Sequence, residues 1–109
     1  MSNNLYRRLK KMFQETDQLE FKSSFSDAVI ETVSAFANAK GGRILVGVDN
    51  SGKPIKGFGI GDETLQNWLN EIKNKTTPSV IPDITEINKS GNIVIEISVP
   101  EFPIKPVAC

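Results

Sequence analysis

The spacing of hydrophobic residues changes several times along the chain, and each change marks an element. Leu5, Leu9, Met12 and Phe13 recur at helical spacing with Arg7, Arg8 and Lys11 on other faces, which predicts a short amphipathic helix over residues 4–13. Residues 18–24 alternate instead: Leu19 and Phe21 point to one side and Glu20 and Lys22 to the other, the pattern of a strand. Ser26 or Asp27 can cap a helix over 27–39, whose apolar stripe is Val29, Ile30, Val33, Phe36 and Ala37. Gly41-Gly42 ends that helix, because glycine enters the left-handed conformation at little cost. The consecutive apolar residues within 43–49 predict a central strand buried on both faces.

The second half continues in the same manner. Asn50-Ser51-Gly52 is a turn signal, and 53–58 is expected to return as the second strand of a hairpin. Asp62 is a good N-cap for a helix over 62–75, where Leu65, Trp68, Leu69 and Ile72 share a face. Residues 83–88 and 92–99 read as two strands joined by Lys89-Ser90-Gly91, and Pro100, Pro103 and Pro106 then stop regular structure. The order predicts an α+β domain: a mixed β-sheet of about five strands packed with two to three helices. The strand–helix–strand unit over 18–50 can form a parallel crossover. No internal repeat or second domain is visible, so 1–109 reads as a single domain.

Composition narrows the chemistry. With 109 residues, 39% hydrophobic and 24% charged, the chain can build a core without disulfides or a structural metal. There is no histidine, and the one cysteine is Cys109, so Ser-His and Cys-His catalytic pairs and a Cys-based zinc site within the chain are excluded. The longest apolar run, 44–48, is far too short to cross a bilayer, and the polar, basic N-terminus is unlike a signal peptide. A cytoplasmic protein without a membrane partner is expected. Net charge is zero, but residues 1–56 carry nine basic and six acidic side chains while 57–109 carry four and seven. Such an asymmetry can steer an anionic partner.

The ordered set Leu19-Glu20-Phe21-Lys22-Ser23-Ser24, Ser34-Ala35-Phe36-Ala37-Asn38-Ala39 with Gly41-Gly42, and Ile44-Leu45-Val46-Gly47-Val48-Asp49 resembles the Schlafen AlbA_2 family. This family is also described as a DNA-binding domain of divergent-AAA-type bacterial regulators. Gly52, Ile55, Gly57, Val99-Pro100 and Lys105-Pro106 are similar too, so the likeness covers about 13–109. The resemblance implies an AlbA_2-like α+β domain of a transcriptional regulator, with nucleic acid, DNA foremost, as ligand. Related domains continue past the Lys-Pro pair into another strand. The resemblance therefore also implies a domain truncated at its C-terminal end, with a sheet edge open to self-association as a homodimer.

Two sets of site residues follow. Lys40 and Arg43 flank the glycine turn, and with Lys22, Arg7, Arg8 and Lys11 they can contact backbone phosphates; ordinary solvation at element ends is the plainer alternative. Some animal relatives cleave RNA with an acidic cluster, and the resemblance places Glu15, Glu20 and nearby Lys22 at matching positions. The third acid of that cluster falls at Asn50, with Asp49 just before it, which leaves the set incomplete. If Glu15, Glu20 and Asp49 did gather, they would suit Mg²⁺ or Mn²⁺ and a ribonuclease reaction. Otherwise no cofactor is expected, and Glu20 and Lys22 form a surface ion pair. Phe21, Phe36, Phe58 and Trp68 are core positions before they are base-stacking platforms, and Asn38 is expected to cap nearby backbone. Gly57-Phe58-Gly59-Ile60-Gly61 lacks the Gly-Lys-Ser/Thr ending of a phosphate loop, so no ATP is expected at this domain.

Overall fold

Strand β1 (Leu19–Lys22) and strand β2 (Gly42–Val46) run parallel, and helix α1 (Asp27–Asn38) is the crossover between them. The computed structural model describes residues 18–109. The helix expected over 4–13, with Arg7, Arg8 and Lys11, lies outside the described residues, as does Glu15. Helix α2 (Thr64–Lys75) and the antiparallel strands β3 (Asp83–Lys89) and β4 (Asn92–Val99) complete one mixed sheet of order β1-β2-β4-β3.

Helix α1 starts where the sequence places its cap. Ser26 is extended, and its Oγ accepts a hydrogen bond from the Ala28 N–H at 3.3 Å, with Asp27 in the first turn. Its stripe of Val29, Ile30, Val33, Phe36 and Ala37 is buried. The helix ends through a bond from the Gly41 N–H to the Phe36 carbonyl at 2.8 Å. The two glycines that follow serve different needs. Gly41 sits at φ +84°, and a Cβ there would lie 2.6 Å from the Val99 carbonyl oxygen. Gly42 is covered by Phe36, whose ring would stand 2.5 Å from a Cβ at that position.

The core lies between the helices and one face of the sheet. Ile44 and Val46 of β2 and Ile95, Ile97 and Val99 of β4 pack with the α1 stripe, Ile72 of α2, Val80 and Val107. Leu19, Leu45, Val48 and Val94 form a second, smaller cluster on the opposite face, with Phe21 against it. Period-two alternation in β1, β2 and β4 separates the two sets.

Three expectations need correction here. Among the described residues the sheet has four strands, not about five, because 53–58 forms no strand. It contributes only an isolated bridge, Val48 to Pro54, closed by hydrogen bonds from the Asp49 N–H to the Lys53 carbonyl and from the Ile55 N–H to the Gly47 carbonyl; the chain then turns at 55–58, where the Phe58 N–H donates to the Ile55 carbonyl at 3.2 Å. Strand β2 also stops at Val46, short of 49. The N–H groups of Gly47 and Val48 both reach the Lys22 carbonyl, at 2.9 and 3.2 Å, and this doubled contact ends regular pairing. Helix α2 begins at Thr64 rather than 62, and its N-cap residue is Glu63, not Asp62. Thr64 Oγ1 accepts the Gly61 N–H at 2.8 Å instead.

The prolines after Val99 stop regular structure, yet the segment is fastened. Phe102 N–H donates to the Ala37 carbonyl at 2.9 Å, and Ala108 exchanges two backbone hydrogen bonds with Thr77 at 2.8 and 2.9 Å. Asn38 does not cap local backbone. Its Nδ2 donates to the Val107 carbonyl at 2.9 Å and its Oδ1 accepts the Val107 N–H at 2.6 Å, a two-pronged clamp on a buried residue. Replacing Asn38 with Ala leaves both backbone groups without that partner and is expected to lower the unfolding free energy by about 1–3 kcal/mol. Urea denaturation checks this, and a midpoint equal to wild type contradicts the clamp.

Candidate nucleic-acid interface

The pairing of β1 with β2 decides where the site residues stand. Leu19 is opposite Arg43 and Phe21 opposite Leu45, whereas Glu20 and Lys22 are opposite Ile44 and Val46. Glu20 and Lys22 therefore share the helix-bearing face, as the alternation predicts, and Arg43 belongs to the other face. Lys40 comes two residues after α1, is exposed, and stands with Arg43 at the end of the sheet where β1 and β2 begin. The Arg43 N–H donates to the Gln18 carbonyl at 2.7 Å, so the chain carrying the basic run of residues 7–11 enters at that same end. The structure thus places Lys40 and Arg43 at one end of the sheet and Lys22 at the opposite end of its strand.

Glu20 and Lys22 meet each other. Lys22 Nζ lies 3.8 Å from Glu20 Oε2, with the side chains 21% and 50% exposed respectively. An ion pair this open contributes little to stability, within about 1 kcal/mol. Asp49 is occupied by its own turn. Its Oδ1 accepts from the Ser51 N–H at 2.9 Å, the Ser51 hydroxyl at 2.7 Å and the Lys53 N–H at 3.0 Å. These bonds, that from the Ser51 hydroxyl first, hold its carboxyl below the usual aspartate range. Among the described residues no group of three acidic, Cys or His side chains is placed to hold a metal ion.

The structure adds a neighbour that the sequence did not suggest. Lys105 Nζ donates to Glu101 Oε2 at 2.6 Å, and that bond, followed by the charges of Lys105 and of Lys40, lowers the Glu101 carboxyl below its ordinary value. Lys40 thus shares its surroundings with an ion pair from the C-terminal segment. No periodic pattern in a proline-interrupted stretch could have announced this. The aromatic residues are engaged in packing: Phe36 is in the core, Phe58 and Phe21 lie against Gly47 and Gly52, and Trp68 stacks on Phe25 at 4.7 Å between ring centroids. Residues 57–61 follow no strand, unlike the strand–loop–helix plan of a phosphate loop. No helix among the described residues is long and apolar enough to cross a membrane.

An α1 stripe feeding a glycine turn, a parallel β1–β2 pair and an antiparallel β4–β3 hairpin define the class: an α+β domain with one mixed sheet. The chain belongs to the Schlafen, AlbA_2 family, whose model matches residues 15–108. It is 31% identical over 116 residues to an uncharacterized ATP-binding protein of Ureaplasma parvum, a match covering 86% of this chain and 32% of that protein. The chain therefore spans about a third of this curated relative. Among solved structures it is similar to the N-terminal domain of a RecG-related protein, named for an ATP-dependent DNA helicase, from Nitrosomonas europaea. That likeness has a TM-score of 0.68 at 25% identity, covering 92% of this chain and 72% of that one. The DIP2311 protein from Corynebacterium diphtheriae shares the fold, with a TM-score of 0.66 at 21% identity, over 85% of this chain and 19% of that one.

The lowered carboxyls set a direction for acid stability. A carboxyl whose folded pKa is depressed adds stability that is fully present above its unfolded value, about 4, and is lost as pH falls through the folded value. Asp49 and Glu101 both act in that sense. Urea midpoints measured from about pH 6 to about pH 2 are expected to fall, and Asp49→Asn, which keeps an acceptor oxygen, is expected to flatten part of that fall. An unchanged acid slope in the variant contradicts the assignment.

Proposed function

We propose that this domain binds nucleic acid, DNA foremost, as part of a transcriptional regulator, and that it does so chiefly through backbone phosphates. The observation that carries the reading is family membership across residues 15–108, joined by the likeness to a domain of a RecG-related protein. Charge placement supports it. Residues 18–109 hold nine basic and eleven acidic side chains, so the positive surplus is in residues 1–17, with Arg7, Arg8 and Lys11. That surplus joins the body at the end where Lys40 and Arg43 stand. A surplus this small gives weak, salt-sensitive binding in which phosphates position the domain and base edges contribute little.

Two neighbouring readings have less support. A divalent-metal ribonuclease would use Glu15, Glu20 and Asp49 with Lys22 and Mg²⁺ or Mn²⁺, but Asp49 Oδ1 already holds three donors in its turn. A homodimer through the free side of β3 would have to accommodate Asp83, Glu86 and Lys89 along that edge strand, and such charges discourage edge pairing. ATP is not assigned to this domain.

Fluorescence anisotropy with labelled duplex DNA, single-stranded DNA and RNA tests the proposal. Affinity is expected to fall linearly on a log–log plot against salt. Arg7→Gln, Lys40→Gln and Arg43→Gln are each expected to reduce the slope by about 0.7–0.9, while Lys56→Gln leaves it unchanged. Absence of binding at low salt contradicts the proposal. Mn²⁺-dependent RNA cleavage that is lost in Glu20→Ala would favour the ribonuclease instead.

A further inference from the structure

We propose, resting on the nucleic-acid reading above, that Lys105 joins Lys40 in contacting a phosphate, and that the Glu101 carboxylate holds this position in the free domain until a phosphate displaces it. The arrangement is built by the close of α1. Phe102, next to Glu101, donates its N–H to the Ala37 carbonyl at 2.9 Å. Val107, two residues after Lys105, is held by the Asn38 side chain through bonds of 2.9 and 2.6 Å. Both ends of the segment 102–107 are thereby fastened to adjacent residues of the helix, and Lys40 comes two positions after them. Gly41 brings the two stretches closer still, since a Cβ there would lie 3.1 Å from the Glu101 nitrogen.

Within this anchored segment Lys105 Nζ donates to Glu101 Oε2 at 2.6 Å, and the charge of Lys40 also bears on that carboxylate. One carboxylate thus stands in the field of two lysines. The Lys105 and Glu101 side chains are 38% and 50% exposed, and Lys40 is exposed as well. An ion pair this open contributes at most about 1 kcal/mol to the fold, so an incoming anion displaces the carboxylate at little cost. A phosphodiester carries the same charge as a carboxylate, and lysine meets it as a point charge with rotatable donors. Pro103 and Pro106 restrict the backbone on either side of Lys105, so less chain freedom is lost when a ligand is held. The carbonyl end of a helix favours the lysines and opposes a phosphate. That opposition is eased here, because the Ala37 carbonyl is met by the Phe102 N–H.

Two titrations of the full 109-residue chain test this. In proton–carbon NMR with inorganic pyrophosphate, the Cε signals of Lys40 and Lys105 are expected to move together while that of Lys56 stays in place. They are expected to respond at lower pyrophosphate concentration in Glu101→Gln than in the wild type. In anisotropy with labelled duplex DNA, Glu101→Gln is expected to tighten binding about three- to fivefold and to steepen the salt slope by about 0.9. Glu86→Gln, an equal change of charge on β3, is expected to alter affinity by less than about twofold, because salt screens a charge away from the contact. In a Lys105→Gln background the gain from Glu101→Gln is expected to shrink to less than about twofold as well. Lys40 and Lys105 signals that do not move overturn the proposal. So does a gain that persists in full without Lys105, or one that Glu86→Gln matches. A pyrophosphate response without any DNA binding supports the phosphate site and counts against the nucleic-acid reading alone.

Discussion

The structure depends on how closely the last turn of α1 approaches the start of β2. Phe36 lies over Gly42 so closely that a Cβ there would come within 2.5 Å of the ring. Gly41, one residue earlier, brings the backbone against Val99 and Glu101. The helix can therefore end directly on the sheet, with no loop to hold them apart. From that junction β2 runs beside β1 and under the α1 stripe. The same helical turn fastens the C-terminal segment, through the Ala37 carbonyl to Phe102 and through Asn38 to Val107. Three distant parts of the chain thus meet at one helix end. The burial of Ile44, Val46, Ile97 and Val99 follows from that meeting.

This junction also explains why the most recognisable part of the sequence contains little chemistry. Phe36, Gly41 and Gly42 are committed to close packing, and Asn38 to backbone, so a ligand would find none of them available. The groups with charge to offer surround the junction. Lys40 and Arg43 flank the glycine turn, and Glu20 and Lys22 lie on the edge strand beside it. Asp49 lies beyond the far end of β2, where its own turn holds it. A phosphate backbone needs only loosely placed cations, which fits this arrangement. A metal-centred reaction needs three converging oxygens, and that is a more demanding geometry.

Much of this fold could be read from residue spacing. The α1 stripe, its Ser26 cap and its glycine end all stand where the pattern puts them, because each rests on local backbone chemistry. The alternation in 92–99 is reproduced as β4, which pairs on both sides. The misreadings have two causes, a local turn in one case and contact between parts far apart in sequence in the other. Residues 53–58 look like a return strand, but pairing stops at the single Val48–Pro54 bridge because the chain turns again at 55–58. Asn38 reads as a cap because its partner is 69 residues away. The site was less legible than the fold. Alternation alone put Glu20 and Lys22 on one face, but the β1–β2 register was needed to place Arg43 on the other.

A double-mutant cycle between Phe36 and Gly42 addresses the junction most directly. Gly42→Ala in the wild-type background should lower the unfolding free energy by about 1–3 kcal/mol, since the ring must move to admit a methyl group. In the Phe36→Leu background the same change should cost less than half as much, leaving a coupling energy of about 1 kcal/mol or more between the two positions. If the two effects simply add, to within about 0.5 kcal/mol, then the ring and the glycine do not constrain each other and this account of the junction is wrong.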